Sequence, residues 1–435
     1  MTQPHSHKPL GFWACWSLTV GSMIGSGIFL LPTTLAPYGL LSLGGWIIAG
    51  LGTLTLGLIF GRLATRTRRT GGPYVYAQES FGDFIGFSMA WNYWISFWMG
   101  VPVVAIAFVG YVGVFVPALN TSPVAQALTA LGLIWIFTLI NVRGLREMSA
   151  VQIAMTFLKI VPLLAIIGLA VAVGTPTNLP QFNPSDAPIL PALAAVTIIA
   201  LWPFTGFEIV TLPAGAIDNP ERTIPRALVS GMITVTIIYL AAALAVMLLV
   251  PAPMLMQSTA PFADAARAFG PWGAPFIAAG AIIATAGTIN GLIFTTGQMP
   301  MAVAIDKLAP TWLAATNKGG SPHLALILSS VLASILLLLN YSRGMMDAFA
   351  FLLKMSTSLG LIYYFVCSLA ELKHDVRSPS GWTGVAVIGM AYSVFAAFGS
   401  GLEVLGWGLL LTVLAAPAYL LFRALYRTPT PTIPS

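Results

Sequence analysis

The chain has 435 residues, of which 57% are hydrophobic and 7% are charged, and its formal net charge is +6 at pH 7. Soluble domains carry about 25% charged residues, so this composition excludes a water-soluble protein and indicates an integral-membrane one. The positive charge requires no nucleic acid partner, because a basic face beside anionic membrane lipid accounts for it.

Apolar stretches of about 20 residues, each long enough to cross the hydrocarbon core of a bilayer, recur along the whole sequence. We predict an all-α integral membrane protein with twelve transmembrane helices, forming a single domain over residues 1–435. The predicted spans are 11–36, 41–64, 84–118, 124–142, 150–174, 189–216, 226–250, 271–303, 324–340, 346–370, 383–398 and 402–423.

The basic residues predict the orientation of these spans. With the N-terminus inside, fifteen of the 19 Lys and Arg residues fall on the cytoplasmic side, as the positive-inside rule requires. They are Lys8, Arg62, Arg66, Arg68, Arg69, Arg143, Arg146, Arg222, Arg226, Lys307, Lys318, Lys373, Arg377, Arg423 and Arg427. We therefore expect a multi-pass protein of the cytoplasmic (inner) membrane with both termini in the cytoplasm.

The first span contains three glycines and two serines at its centre, in the segment Gly21–Gly27. A helix interruption at membrane depth is tolerated only where the freed backbone groups face protein or a water-filled cavity. Many secondary transporters build their substrate site from such discontinuous helices. We therefore predict that the first helix is broken at this segment.

The sixth span has a similar interruption at Leu201–Glu208. Pro203 removes a backbone donor, and Gly206 can leave helical geometry at low cost. Similar stretches follow the two breaks, Leu31–Ala36 and Leu212–Ala216. The breaks lie five spans apart, so the two halves cross the membrane in opposite senses, and paired interruptions of this kind indicate a transport site. The alternative is that both are simple kinks, since Gly and Pro are common in membrane helices.

Four motifs together resemble the amino acid–polyamine–organocation (APC) family: Gly21–Pro32, Gly71–Ala77, Phe204–Glu208 and Asn219–Ala227. The chain is especially similar to bacterial arginine/agmatine-type antiporters and to proton-coupled amino acid transporters. The resemblance implies a LeuT-type fold with a 5+5 inverted repeat. Its first repeat would cover 11–174, its second 189–370, and two additional helices would lie at 383–423.

An α-amino acid zwitterion needs hydrogen-bond donors for its carboxylate and acceptors for its ammonium group. We expect Ser26 Oγ and the Gly27 N–H to bind the carboxylate, because they begin a half-helix with free N–H groups. By analogy with the family, the carbonyl groups of Met23, Trp202 and Thr205 would accept hydrogen bonds from the ammonium group.

Side-chain selectivity would come from the positions that correspond to the family's substrate pocket. These are Ser22, Tyr93, Ser96, Val101, Trp202, Thr205, Leu292 and Ser356. The resemblance implies that Trp202 gates one side of the site and that Tyr93 lines it. The alternative for both aromatic residues is ordinary packing.

Two ionisable residues lie deep in apolar runs and are candidates for coupling or gating, because such residues are costly in a membrane. Glu208 is either a proton-linked switch or a structural acceptor for the broken backbone. Lys159 corresponds to a lysine of the family's proton-coupled permeases, which occupies the sodium position of sodium-coupled relatives. The alternative for Lys159 is a side chain that reaches the membrane interface.

The chain departs from the arginine/agmatine exchangers in its pocket. Thr288–Phe294 lacks their tryptophan, and Ser22 and Val101 replace two asparagines. A cation would lose an aromatic partner contributing roughly 0.5–2 kcal/mol, which favours neutral amino acids.

We therefore expect secondary active transport of amino acids by alternating access, as proton-coupled symport. The alternative is an antiporter that exchanges cationic amino acids or polyamines. No catalytic grouping, metal-ligand spacing or cofactor motif is present in the sequence, so we expect no enzyme activity and no cofactor, with protons as the coupling ion. The expected partners are an amino acid substrate and membrane lipid, and the chain would be a monomer or a homodimer.

Overall fold

The computed structural model describes residues 11–67, 69, 71–144, 148–211, 217–377 and 380–426, and of residues 26, 148–157, 377 and 426 it describes the backbone alone. These ranges are almost entirely helical. The helices are α1 (Phe12–Met23), α2 (Ser26–Leu35), α3 (Leu41–Arg66), α4 (Pro73–Phe81), α5 (Asp83–Val112), α6 (Pro123–Arg143), α7 (Met148–Val173), α8 (Ile189–Leu201), α9 (Pro220–Leu249), α10 (Ala252–Leu255), α11 (Pro261–Ala265), α12 (Gly273–Ile305), α13 (His323–Tyr341), α14 (Met345–Arg377), α15 (Thr383–Phe398), α16 (Leu402–Val413) and α17 (Ala415–Tyr426).

The predicted membrane spans are recovered in the described parts of the chain. Nine helical stretches there are long and apolar enough to cross a membrane. Three shorter apolar helices, Leu158–Val173, Ile189–Phe204 and Thr383–Phe398, coincide with the other three predicted spans. The all-α, multi-pass prediction is therefore confirmed. The repeat boundaries at 11–174 and 189–370 remain a prediction.

The third span is shorter than the predicted 84–118. Its helix α5 ends at Val112, and a 3-10 turn begins at Pro117. Phe115 and Val116 are apolar but lie in the exposed connection. The predicted span was too long at its C-terminal end because these apolar residues were counted as part of the helix.

The predicted break in the first span is confirmed. Ile24 (ψ 97°) and Gly25 (φ −144°, ψ −150°) adopt extended conformations between α1 and α2. A Cβ atom at Gly25 would lie 2.6 Å from Thr288 Oγ1. The glycine therefore lets α12 pack directly against the unwound backbone.

The predicted break in the sixth span is confirmed as well. Helix α8 ends at Leu201, and a 3-10 turn at Trp202–Phe204 follows it. Thr205 is extended, and Gly206 has φ +94°, a left-handed conformation that glycine adopts without steric cost. The similar stretch Leu212–Ala216 lies outside the described residues.

Ion pairs join several helices at one end of the bundle, which we call the basic face and define by Arg62, Arg66, Arg69, Lys307 and Lys373. Arg62 and Arg66 each lie 3.0 Å from the Glu371 carboxylate of α14. Arg69 lies 3.3 Å from Asp306 at the end of α12. Expected members of this face at Lys8, Arg68, Arg146 and Arg427 lie outside the described residues.

Candidate functional site

The two backbone breaks lie against each other. A Cβ atom at Gly27 would lie 2.8 Å from Trp202 Cδ1 and 2.9 Å from Pro203 Cβ. The hydroxyl of Tyr239, on α9, lies 2.6 Å from the Met23 carbonyl oxygen and 3.3 Å from the Pro203 carbonyl oxygen. Tyr239 therefore bridges the end of α1 and the second break.

A cavity of about 320 Å³ lies beside the two breaks, within the size range of small-molecule sites. Its walls come from α1, α5, α7, α12 and the segment after the second break. They are Leu18, Gly21, Ser22, Phe97, Lys159, Ile209, Gly287, Thr288, Gly291, Leu292, Phe294 and Thr295. Helix α12 runs from Thr288, which contacts the first break, to its end at the basic face. Its cavity-lining residues, Gly287 to Thr295, therefore place the cavity between the breaks and that face.

Tight packing closes the opposite side of the breaks. Trp202 is 7% exposed, and its ring would lie 2.6 Å from a Cβ atom at Gly100. Further along α2, the Tyr111 hydroxyl donates to the Phe29 carbonyl oxygen at 2.7 Å, and the Thr33 hydroxyl donates to that of Ser258 at 2.9 Å. The cavity is thus closed on the side that lies away from the basic face.

The proposed backbone ligands are only partly available. No described side chain caps the start of α2, so the N–H groups there are candidate carboxylate donors. The side chain of Ser26 lies outside the described residues. The Trp202 carbonyl oxygen already accepts from the Thr205 N–H at 3.1 Å and from the Thr205 hydroxyl at 2.7 Å. The Met23 carbonyl oxygen accepts a hydrogen bond from the Tyr239 hydroxyl, which uses one of its two lone pairs.

The predicted pocket side chains separate into two groups. Ser22 and Leu292 line the cavity. Ser96 and Ser356 lie behind it in a reciprocal pair, in which each hydroxyl donates to the other residue's carbonyl oxygen, at 2.9 and 2.6 Å. Their hydroxyls are therefore used between α5 and α14.

Tyr93 also lies behind the wall. It is fully buried and stacks on Phe97, with ring centroids 4.3 Å apart, and its hydroxyl has no hydrogen-bond partner among the described residues. Val101 is likewise buried, at 1% exposure. Phe97, one helical turn after Tyr93, is the aromatic residue of α5 that lines the cavity, a position that helical spacing would have identified.

Lys159 points into the protein. It is 2% exposed, and its Nζ donates to the Gly21 carbonyl oxygen at 3.2 Å and to Thr288 Oγ1 at 3.4 Å. A side chain that reaches the membrane interface is therefore ruled out. Lys159 joins α7 to α1 and α12 at the edge of the first break.

Glu208 is fully buried and saturated with donors. Its carboxylate accepts hydrogen bonds from the Tyr363 hydroxyl at 3.1 Å, the Tyr364 hydroxyl at 3.0 Å and the Gly206 N–H at 3.2 Å. Of the two interpretations, this geometry favours the structural acceptor, because Glu208 holds the second break against α14.

Comparison with known proteins gives one family over nearly the whole chain. Residues 10–422 match the family model described as amino acid permease. The cadaverine/lysine antiporter of Escherichia coli (strain K12) is 29% identical over 405 residues, covering 91% of this chain and 90% of that protein.

Two further relatives have similar coverage. The putrescine transporter PotE of Escherichia coli (strain K12) is 28% identical over 427 residues, covering 96% of this chain and 97% of its own. The arginine/ornithine antiporter of Pseudomonas aeruginosa is 30% identical over 446 residues, covering 97% and 92%.

Proposed function

Since this chain belongs to the amino acid permease family, we propose that it is an antiporter that exchanges amino acids across the cytoplasmic membrane by alternating access. Membership makes it a multi-pass transporter of the amino acid and polyamine class, and not an enzyme. The observation that carries the proposal is the cavity beside two broken helices, closed on one side.

Exchange is preferred over the symport expected from the sequence. Two of the relatives are named as antiporters, for cadaverine/lysine and for arginine/ornithine. In an exchanger, the binding site reorients across the membrane only when a substrate is bound. The closed packing around Trp202 is compatible with such a cycle.

The charges around the cavity favour neutral amino acids as substrates. Lys159 is the only charged residue among those that line it, and the Glu208 oxygens already accept three hydrogen bonds. A second positive charge about 5 Å from Lys159 would be repelled by roughly 3 kcal/mol at an effective dielectric constant of 20. A zwitterion adds a carboxylate that offsets this repulsion, whereas a diamine does not.

Proton-coupled symport is the second candidate. Its support is Lys159, whose buried amino group contacts the carbonyl of Gly21 beside the first break. A group at that point can link its protonation to the position of α1. The coupling ion would then be a proton.

Uptake into proteoliposomes separates the two candidates. Labelled neutral amino acids should enter vesicles preloaded with an unlabelled amino acid and should not enter empty vesicles under an imposed pH gradient. Putrescine and cadaverine should compete weakly. Uptake into empty vesicles driven by the pH gradient would establish symport, and absence of uptake under both conditions would refute amino acid transport.

The membrane and topology are part of the same proposal. We place the basic face and both termini in the cytoplasm, because the positive-inside rule assigns basic loops to that side. Labelling of single cysteines introduced at Arg222 and at Arg267, on opposite faces, tests this orientation in intact cells.

A further inference from the structure

A second cavity, of about 350 Å³, is an apolar groove outside the transport site. Phe87, Trp91 and Trp94 of α5, Trp312, and Phe422 of α17 form much of its wall. The indole N–H of Trp91 donates to the Leu411 carbonyl oxygen and that of Trp94 to Ser329 Oγ, both at 2.9 Å. Their polar atoms are therefore satisfied within the protein, and the groove presents hydrocarbon and ring surface.

A polar pocket of about 310 Å³ lies next to the groove at the basic face, formed by Asp83, Asp306, Lys307, Leu308, Tyr419 and Arg423. The Tyr419 ring packs against Phe87 of the groove, with centroids 5.4 Å apart. Leu308 of the pocket precedes Ala309 of the groove. The two cavities therefore form one amphipathic site.

The pocket has two cations available for an anion. Asp306 is paired with Arg69 at 3.3 Å, and the Asp83 carboxylate accepts from the Gln78 amide at 2.9 Å. Lys307 and Arg423 form no ion pair with any residue in the described ranges. Asp306 is balanced by Arg69, which leaves the Asp83 carboxylate as the anion of the lining without an ion pair in the described ranges. The two cations exceed it by one charge, so the pocket is complementary to a phosphate group.

The depth of the groove matches one lipid leaflet. Trp94 lies eleven residues after Asp83 in α5, which corresponds to roughly 16 Å at 1.5 Å per residue. Half of a hydrocarbon core about 30 Å thick is about 15 Å. An acyl chain that starts at the polar pocket would thus end near the bilayer centre.

We propose that this groove and pocket bind one phospholipid, with an acyl chain along Trp91 and Trp94 and the phosphate between Lys307 and Arg423. The site is separate from the cavity beside the breaks. Its test therefore needs no transport measurement and does not depend on the proposed exchange activity.

Native mass spectrometry of the purified chain tests phosphate recognition. Phosphatidylglycerol is titrated against a galactolipid with the same acyl chains and no phosphate. We expect one retained phosphatidylglycerol, and a Lys307→Gln/Arg423→Gln variant that needs at least tenfold more lipid for half-saturation. The matched control is Arg222→Gln/Arg226→Gln, which removes two exposed cations elsewhere and should leave retention unchanged.

Equal retention by the double variant and the wild type, or equal binding of the galactolipid, would overturn the proposal. So would a stable dimer that retains no phospholipid, since a second copy of the chain would then fill the groove. A second measurement keeps both cations of the pocket, so it does not depend on the folding of the Lys307→Gln/Arg423→Gln variant. Phosphatidylglycerol brominated on its acyl chains should quench tryptophan emission, less so in Trp91→Phe/Trp94→Phe; equal quenching would also overturn the proposal.

Discussion

The Tyr239 hydroxyl lies 2.6 Å from the carbonyl oxygen of Met23, the residue at which α1 ends. The same hydroxyl lies 3.3 Å from the Pro203 carbonyl oxygen of the second break. One buried side chain of α9 therefore contacts both interrupted spans, so the position of each break depends on the other.

Replacing Tyr239 with Phe removes this contact. We expect the free energy of unfolding to fall by about 0.5–1.5 kcal/mol, the usual net contribution of a hydrogen bond, and the exchange rate to fall with it. Thermal unfolding of the purified protein measures the first effect. Tyr392→Phe is the control, because its hydroxyl lies 3.5 Å from the Ala49 carbonyl oxygen of α3 and bridges neither break. Equal losses in both variants would contradict the bridging role.

Adding a methyl group at Gly27 should block the contact between α2 and the second break. The new Cβ atom would lie 2.8 Å from Trp202 Cδ1, and overpacking of this kind costs about 1–3 kcal/mol. Gly27→Ala should therefore lower uptake at least about tenfold while the protein remains in the membrane. Gly132→Ala, which meets no atom within 4 Å, should transport normally. Normal uptake by Gly27→Ala would show that transport does not need the close contact between α2 and the second break.

Lys159→Gln tests whether the lysine links protonation to transport. Glutamine keeps a donor for the Gly21 carbonyl but cannot change its charge, so we expect uptake to lose its dependence on pH. The measurement is uptake by proteoliposomes across a series of external pH values. Lys354→Gln replaces another lysine within a span, away from the cavity, and should keep the wild-type profile. An unchanged profile for Lys159→Gln would assign the residue a structural role alone.

Glu208→Gln tests whether Glu208 is a structural acceptor and does not link protonation to transport. The carboxylate accepts from three donors through two oxygens. Glutamine has only one accepting oxygen, so at least one of these hydrogen bonds would be lost or reversed. We expect a lower melting temperature and slower uptake, with the pH profile retained. Tyr364→Phe, which removes one of those donors, should have a smaller effect of the same kind. A flattened pH profile in Glu208→Gln would instead make Glu208 the proton carrier.

Glu371→Gln should destabilise the basic face. The Glu371 carboxylate is fully buried and lies 3.0 Å from both Arg62 and Arg66, and hydrogen bonds to charged groups contribute about 1.5–3 kcal/mol. Glu403→Gln breaks an exposed pair with Arg343, and such pairs contribute about 0–1 kcal/mol. Glu371→Gln should therefore lower the melting temperature more than Glu403→Gln does. Equal melting temperatures would contradict the larger contribution of the buried ion pairs.

The sequence identified the breaks because their cause is local. Glycine and proline weaken a helix through their own backbone geometry, so Gly25, Pro203 and Gly206 indicate the interruptions without any knowledge of the packing. Lys159 was identifiable for a related reason, since an ammonium group in an apolar run needs partners inside the protein.

The partners of the polar side chains were not identifiable in the same way. Ser96 and Ser356 stand 260 positions apart, and their pairing depends on how α5 and α14 align along their axes. Glu208 meets Tyr363 and Tyr364 through the same kind of alignment. The hydroxyl groups of Ser96 and Ser356, which the sequence alone assigned to the substrate, are therefore turned towards each other's helices.

The mutual hydrogen bonds of Ser96 and Ser356 have a mechanical consequence. Any displacement of α5 relative to α14 at this level must break two buried hydrogen bonds at once, at about 0.5–1.5 kcal/mol each. We therefore expect these two helices to stay together during transport, and the half-helices on either side of Gly25 and Gly206 to move relative to them. Substrate release towards the basic face would then depend on backbone rotation at these two glycines. The α5 and α14 helices behind the cavity would keep their positions.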